Sequence, residues 1–244
     1  MRGLILAVQF LTRLPTPQVA EFRPDDLARS AVWFPLVGGV VGTCVALALA
    51  AGARVDPWFG GLAGLVVWVW VTGALHLDGL SDLADGLGAA HRDPERLLAV
   101  LRDPHVGSFG VIALVLQLAT KLVLLALIAR GSVALVALPL VAAWARYGAV
   151  AWSQLLPPLA AGSGERFGWS PRAGTLATWL GVLLAASAAL APWLALAAPV
   201  ALGGWGLYLG RRLGGMTGDA LGAGTELCES ALLAVLVVAA HACV

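Results

Sequence analysis

The sequence predicts an all-α fold, a polytopic integral membrane helical bundle of about seven transmembrane helices in a single domain over residues 1–244. Of the 244 residues, 60% are hydrophobic and only 12% are charged, and the mean hydropathy is +0.88. Soluble globular chains carry about 25% charged residues, so this chain does not belong to that class. The formal net charge of +1 argues against binding to nucleic acid. The three cysteines lack the spacing of a disulfide framework or a zinc site.

The candidate spans follow one another through short loops. Before them, the apolar stretch Leu4–Leu11 is too short to cross a bilayer, and Pro15 stands where a signal peptide has a small-residue cleavage site. We therefore expect an interfacial or re-entrant helix that is retained. The block Thr175–Gly210 is about twice the length of one span, and Pro192 near its middle favours a turn between two. The other expected spans are Trp33–Gly52, Phe59–Leu77, Phe109–Ala129, Val133–Trp152 and Leu227–Val244.

The basic residues are distributed unequally between the two ends of this bundle. Eleven of the fifteen lie in the N-terminal segment and in alternate loops, whereas only Arg54 and Arg130 lie in the opposite loops. Lys121 and Arg146 fall within spans. The positive-inside rule therefore predicts a cytoplasmic N-terminus. All the acids except Asp56 share that side, so we expect an active site that faces the cytoplasm. The eleven residues are Arg2, Arg13, Arg23, Arg29, Arg92, Arg96, Arg102, Arg166, Arg172, Arg211 and Arg212.

Three carboxylates lie at the end of the second predicted span. Asp78, Asp82 and Asp85 are spaced i, i+4, i+7, which on a helix places all three on one face. Like charges on one stripe repel each other and are costly near hydrocarbon, so a cation should hold them there. Mg²⁺ is the expected ion, because it prefers carboxylate oxygens and shares them with substrate phosphates. The alternative is a polar helix cap at the membrane surface, which does not require three acids on one face.

A second polar segment, residues 213–229, lies at the entrance to the last span. If it is helical from about Thr217, then Asp219, Glu226 and Glu229 share one stripe. The glycine-rich loop before it suits backbone N–H groups that face a phosphate, which makes it a candidate cofactor-binding loop. The alternative for its small residues is a helix-packing face, but packing does not explain the three acids. The candidate binding residues of this loop are Gly214, Gly215, Thr217 and Gly218.

The loop between the second and third spans adds further candidates. Asp93 followed by Pro94 predicts the start of a short surface helix. Arg102 and Asp103 at its end are candidate catalytic residues, because an arginine there can contact phosphate in a bidentate manner. The alternative for the arginines of this loop is snorkelling at the membrane surface. His76, in the second span, is a candidate base or ligand-orienting residue, and a hydrogen-bonded core histidine is its alternative.

Five strings, in order from end to end, carry a family resemblance. The most specific is His-Leu-Asp-Gly-Leu-Ser-Asp-Leu-Ala-Asp-Gly at His76–Gly86, and Thr-Gly-Asp-Ala-Leu-Gly within Gly214–Glu226 is the next. The others are Phe10–Pro15, Phe34–Gly38 and Leu101–Gly107. Together they cover nearly the whole chain and resemble the cobalamin synthase family, the adenosylcobinamide-GDP ribazoletransferases of bacterial vitamin B12 assembly. The departures from the family pattern, none of which removes a carboxylate, are Ser81, Leu83 and Pro104.

The resemblance implies a transferase that joins adenosylcobinamide-GDP with α-ribazole, or its 5′-phosphate, to give adenosylcobalamin, or its 5′-phosphate, and GMP. It also implies Mg²⁺ dependence, a location in the cell inner membrane and the two substrates as partners. Composition and net charge add the lipid bilayer as a partner and no nucleic acid, and a homo-oligomer stays open. Displacing GMP from a diphosphate requires charge neutralisation and in-line positioning, which two acidic stripes on one membrane face can serve. The expected roles are metal binding for Asp78, Asp82 and Asp85, further ligands or hydroxyl positioning for Asp219 and Glu226, phosphate stabilisation for Arg102, and a general base for His76.

Two other classes of function stay open at this point. Prenyltransferases and CDP-alcohol phosphotransferases also use Mg²⁺ and diphosphates at Asp-rich motifs on membrane helices, although the arginine that the latter place after Asp-Gly-x-x-Ala is missing here. A cation transporter whose carboxylates bind the permeating ion is the other class, although transporters usually place such residues near the bilayer midplane in repeated halves. We further expect the two acidic stripes to form one site, because neither has an evident partner of its own.

Overall fold

The computed structural model describes residues 2–19, 23–90, 93–131, 135–159, 165–166 and 173–242, and it is helical throughout with connecting turns. The all-α prediction is therefore confirmed for the part of the chain that is described. Arg92 and Arg172 lie outside it. The helices are α1 (Arg2–Leu11), α2 (Pro24–Ser30), α3 (Phe34–Ala53), α4 (Pro57–Thr72), α5 (Leu75–Ala90), α6 (Pro94–Val100), α7 (Ser108–Arg130), α8 (Ala137–Leu155), α9 (Ala173–Leu190), α10 (Pro192–Arg212) and α11 (Gly218–Ala242), with a 3-10 turn at Ala31–Trp33 between α2 and α3.

Within the described ranges, five helical segments are long and apolar enough to cross a membrane, namely Asp25–Ala53, α7, α9, α10 and α11. The consecutive helices α4 and α5 meet the same criterion together, which raises the number to six. A multi-pass membrane protein is thus confirmed, but the count differs from the seven spans expected. The difference is α8, predicted as a span over Val133–Trp152. Its buried Arg146 and other polar residues lower its hydropathy, and neighbouring helices bury most of its length.

The second predicted span, Phe59–Leu77, is wrong as a continuous helix. The chain bends by 86° between α4 and α5, through Gly73 and Ala74, which both adopt left-handed backbone angles with φ of 60° and 61°. The segment after α1 packs against this bend. The Arg13 N–H donates to a carbonyl in the last turn of α4 at 2.7 Å, and a side chain at Gly73 would collide with that of Arg13. The first acidic motif therefore begins a new helix rather than ending a span.

Glycines allow the helices around this motif to approach closely. A Cβ atom at Gly38 or Gly42 of α3 would overlap backbone atoms of α8. A Cβ atom at Gly79 of α5 would lie 3.0 Å from both the Cα and the carbonyl oxygen of Asp219 on α11. Small residues at such crossings bring backbones together where larger ones would separate them. The α5–α11 crossing therefore juxtaposes the two acidic motifs, which are far apart in sequence.

Candidate active site

The crossing of α5 and α11 forms one wall of a cavity of about 120 Å³. Asp78 of α5 and Asp219 of α11 both line this cavity, and so does His76 of α5. Its lining also includes Phe10 and Phe34, whose rings stack with centroids 5.8 Å apart. Asp78 is exposed and Asp219 is half-buried. The structure thus brings together one acid from each motif beside a space that can hold a ligand.

Asp82 adds a third carboxylate to this region from the next turn of α5. It is half-buried, and the negative charges of Asp78, Asp85 and Asp219 all act on it by repulsion. No three His, Cys, Asp or Glu side chains among the described residues already converge as a metal site. However, Mg²⁺ usually takes only one or two carboxylates and completes its shell with water and substrate phosphates. The oxygen donors of Asp78, Asp82 and Asp219 are therefore chemically suited to Mg²⁺ shared with a phosphate-bearing substrate.

Asp85 has contacts that its spacing did not predict. Its buried carboxylate accepts hydrogen bonds from the backbone N–H groups of Gly107 at 2.7 Å and Gly110 at 2.8 Å, at the N-terminus of α7. Gly107 provides no side-chain cap, so Asp85 caps α7 from a neighbouring helix. A side chain at either glycine would collide with Asp85. Spacing predicted a metal ligand here, whereas these contacts make Asp85 an anchor for α7, and metal binding by Asp85 stays a prediction.

The expectation that the second motif lacks partners is wrong for its two glutamates. The Lys121 Nζ atom on α7 lies 2.7 Å from a carboxylate oxygen of Glu226 and also contacts Glu229. The Arg146 Nη1 atom on α8 pairs with the other oxygen of Glu229. All four side chains are at most 4% exposed, and Gln117 donates a further hydrogen bond to Glu226 at 2.9 Å. These contacts make Glu226 part of a neutral buried network that joins α7, α8 and α11, rather than a free catalytic acid.

The charged residues of this network were visible in the sequence, but their pairing was not predicted. Lys121 and Arg146 were the two charges expected well inside spans, and buried charges in a membrane protein normally pair with one another. Two glutamates on the last helix supply an equal number of opposite charges. Helical periodicity does not show which faces meet, so the pairing could not be read from spacing. The Lys121 Nζ atom also lies 4.4 Å from the centre of the Trp68 ring, which adds a cation–π contact.

The other predicted catalytic residues divide between the cavity and the surface. His76 is 6% exposed and lines the cavity, and its Nδ1 atom has no hydrogen-bond partner among the described residues. Arg102 and Asp103 are exposed on the loop between α6 and α7. Asp103 accepts a hydrogen bond from the His105 backbone N–H at 3.0 Å and lies 2.6 Å from His105 Nδ1. These hydrogen bonds hold the pKa of Asp103 below its ordinary value. The contacts of Asp103 are thus local to the loop.

The glycine-rich loop before α11 is held by its own backbone contacts. Gly214 has a left-handed φ of 77°, and its N–H donates to the last turn of α10 at 3.0 Å. Gly215 packs against the chain that follows α8. Thr217 caps α11, because its Oγ1 accepts the N–H of a first-turn residue at 3.1 Å. Gly218 lines the cavity at the N-terminus of α11. Phosphate binding by this loop stays a prediction, for which Gly218 is the best-placed residue.

Known proteins similar to this chain belong to the family that its motifs resemble. The family model described as cobalamin-5-phosphate synthase matches residues 3–237. A curated relative from Laribacter hongkongensis is 60% identical over 242 residues, which cover 98% of each chain. A relative from Thiobacillus denitrificans is 56% identical, and the match covers 96% of this chain and 94% of the relative. A relative from Pseudomonas aeruginosa is 38% identical, and the match covers 97% of this chain and 98% of the relative. All three are named adenosylcobinamide-GDP ribazoletransferase, and no solved structure matches the chain. The chain belongs to the cobalamin-5-phosphate synthase family.

Proposed function

We propose that this chain joins adenosylcobinamide-GDP to α-ribazole, or to its 5′-phosphate, and releases GMP. The meeting of the α5 and α11 motifs at one cavity carries the proposal, in a chain whose full-length relatives bear the name of that enzyme. In the reaction, a hydroxyl oxygen of the ribazole forms a bond to phosphorus while the bond from that phosphorus to GMP breaks. The hydroxyl proton leaves to a base. The other product is adenosylcobalamin, or its 5′-phosphate.

The acids that line the cavity, with the neighbouring Asp82, supply most of the chemistry that this transfer needs. Asp78, Asp82 and Asp219 would hold Mg²⁺, which neutralises the charge of a diphosphate when it is bound. Asp219 stands at the first turn of α11 and lines the cavity, so its carboxylate can also orient the attacking hydroxyl and take its proton. The backbone N–H of Gly218 lies at the positive end of the α11 dipole, which favours a phosphate oxygen there.

Residues around the cavity support these acids. His76 lines the cavity with a nitrogen that can hydrogen-bond the substrate or accept the hydroxyl proton. Arg102 lies on the exposed loop that Asp85 ties to α5, so its guanidinium can approach a phosphate from the surface. Glu226 acts through the buried network, which holds α11 against α7. This assignment separates residues that face the substrate from residues that fix the helices bearing them.

We further propose that the protein lies in the inner membrane with this site at the cytoplasmic end. Arg130, at the end of α7, lies 5.3 Å from the Trp58 ring at the start of α4, so these two helix ends share one side of the bundle. The start of α7, where Asp85 binds, is at the opposite end of a 23-residue helix. That opposite end carries the larger number of basic residues. The positive-inside rule therefore supports a cytoplasmic active site.

The buried network argues against cation transport as the function. A transporter needs carboxylates free to bind the permeating ion within the membrane. Glu226 and Glu229, the two glutamates of the last helix, are already compensated by Lys121 and Arg146. Asp78, Asp82 and Asp219, which have no ion pair among the described residues, lie instead around the crossing of α5 and α11 beside the cavity. That distribution favours an enzyme that acts on a charged substrate.

Purified protein reconstituted in lipid vesicles tests the proposal directly. With adenosylcobinamide-GDP, α-ribazole 5′-phosphate and MgCl₂, we expect equal amounts of GMP and adenosylcobalamin 5′-phosphate, measured by chromatography. Chelation of Mg²⁺ with EDTA should stop the reaction, and excess MgCl₂ should restore it. Folded wild-type protein that releases no GMP would contradict the proposed function. Undiminished activity in EDTA would contradict the Mg²⁺ assignment alone.

A further inference from the structure

Arg146 of α8 has hydrogen-bonding capacity that no residue in the described part of the chain uses. The residue is 1% exposed, and its Nη1 atom pairs with Glu229 and donates to the Ala142 carbonyl at 3.3 Å. Its Nε and Nη2 atoms are buried and have no hydrogen-bond partner among the described residues. These two nitrogens form one edge of the guanidinium, whose parallel N–H groups match two oxygens of a single acceptor. Leaving buried charged donors without an acceptor costs free energy, so we expect this edge to bind a ligand that supplies acceptors.

The position of Arg146 identifies where such a ligand would come from. Arg146 lines the same cavity as Asp78 and Asp219, and so does His76, whose Nδ1 atom also lacks a partner among the described residues. At about 120 Å³, the cavity has room for a group several times the size of one water molecule. Phe10 and Phe34 also line the cavity, and their stacked rings offer no hydrogen-bond acceptor.

We infer that Arg146 is a substrate-binding residue, whose Nε–Nη2 edge donates to two oxygens of a phosphoryl group of the GDP-linked substrate. The inference rests on the proposed function and extends it to a residue outside both acidic motifs. A phosphoryl group suits the edge because it offers two oxygens at the spacing of the guanidinium fork and carries the opposite charge. Glu229 holds the Nη1 end of the group, so the planar guanidinium is fixed before the substrate binds.

The substitution Arg146→Lys separates this role from a purely structural one. Lysine keeps the positive charge that compensates Glu229 but cannot present two parallel N–H groups. We expect the KM and the Kd for adenosylcobinamide-GDP to rise about tenfold to a hundredfold, since a charged hydrogen bond is lost. The KM for α-ribazole 5′-phosphate should change little. A matched control on the same helix is Trp144→Phe, which removes a buried hydrogen bond of 2.9 Å to Ser187 away from the cavity.

The control variant should lower the Tm and leave the KM for adenosylcobinamide-GDP unaltered. If Arg146→Lys does not fold, the double variant Arg146→Met with Glu229→Gln removes both charges of the pair and leaves neither uncompensated. It should show the same loss of affinity. Wild-type KM and Kd in a folded Arg146 variant, or an equal rise of KM in Trp144→Phe, would overturn the inference. Wild-type protein that releases no GMP would overturn the proposed function instead, so the two failures are distinct.

Discussion

Substitution of Asp85 by asparagine should destabilise the protein, although Asp85 belongs to the acidic motif. Asparagine offers one carbonyl oxygen, so it can accept only one of the two N–H groups that Asp85 binds at 2.7 and 2.8 Å. The lost bond has a charged acceptor and is worth about 1.5–3 kcal/mol. Loss of the negative charge at the N-terminus of α7 costs about 0.3–1 kcal/mol more. The free energy of unfolding should therefore decrease by about 2–4 kcal/mol.

The assay is the Tm of the purified protein, followed by tryptophan fluorescence in detergent. For a chain of this size, about 2–4 kcal/mol corresponds to a decrease in Tm of roughly 4–16 °C. The matched control is Asp82→Asn on the same helix, which removes a charge that three neighbouring acids repel and so should not lower the Tm. An unaltered Tm in Asp85→Asn would refute the anchoring role. Equal losses of Tm in both variants would refute the distinction between them.

Two further predictions concern the helix crossing and the orientation. Gly79→Val should lower GMP release by about a hundredfold, because its side chain must push α5 away from the Asp219 backbone that lies 3.0 Å from the Cβ position. Gly39→Val, where a Cβ atom meets nothing within 4 Å, is the matched control, and equal activity of the two variants would contradict the argument. In a background without native cysteines, a cysteine at exposed Val106 should react with a membrane-impermeant thiol reagent only from the cytoplasmic side, and one at exposed Val55 only from the outside. The reverse pattern would invert the proposed topology.

The sequence was sufficient for the class of protein and its family. Composition and hydropathy predicted the membrane bundle, and the motif strings predicted the family that the comparisons confirm. The helical spacing of Asp78, Asp82 and Asp85 also agrees with α5, and the helix expected from about Thr217 begins at Gly218. These features are local, because they depend on side-chain chemistry and on periodicity within one segment.

The parts that could not be predicted depend on how separate segments meet. Hydropathy over Phe59–Leu77 does not show that the chain turns sharply at Gly73, because glycine and alanine are also tolerated within spans. The spacing of Asp85 does not reveal that two N–H groups of a helix 22 residues later occupy its oxygens. The charges of Lys121 and Glu226 are 105 residues apart in sequence and find each other only through packing. Such pairings require the tertiary structure.

The central claim is that the two acidic motifs form one catalytic site, and a double-mutant cycle tests it most directly. Asp82→Asn and Asp219→Asn should each lower the kcat for GMP release by about 10²–10³, since each removes charge from the same phosphoryl-transfer geometry. The control Asp56→Asn, at the cap of α4 where asparagine can still accept the Trp58 N–H, should retain activity. We predict that the decreases in kcat are strongly non-additive: the kcat of the double variant should be close to that of the less active single variant. Losses that multiply, or a purified Asp219→Asn protein with wild-type specific activity, would contradict a single site.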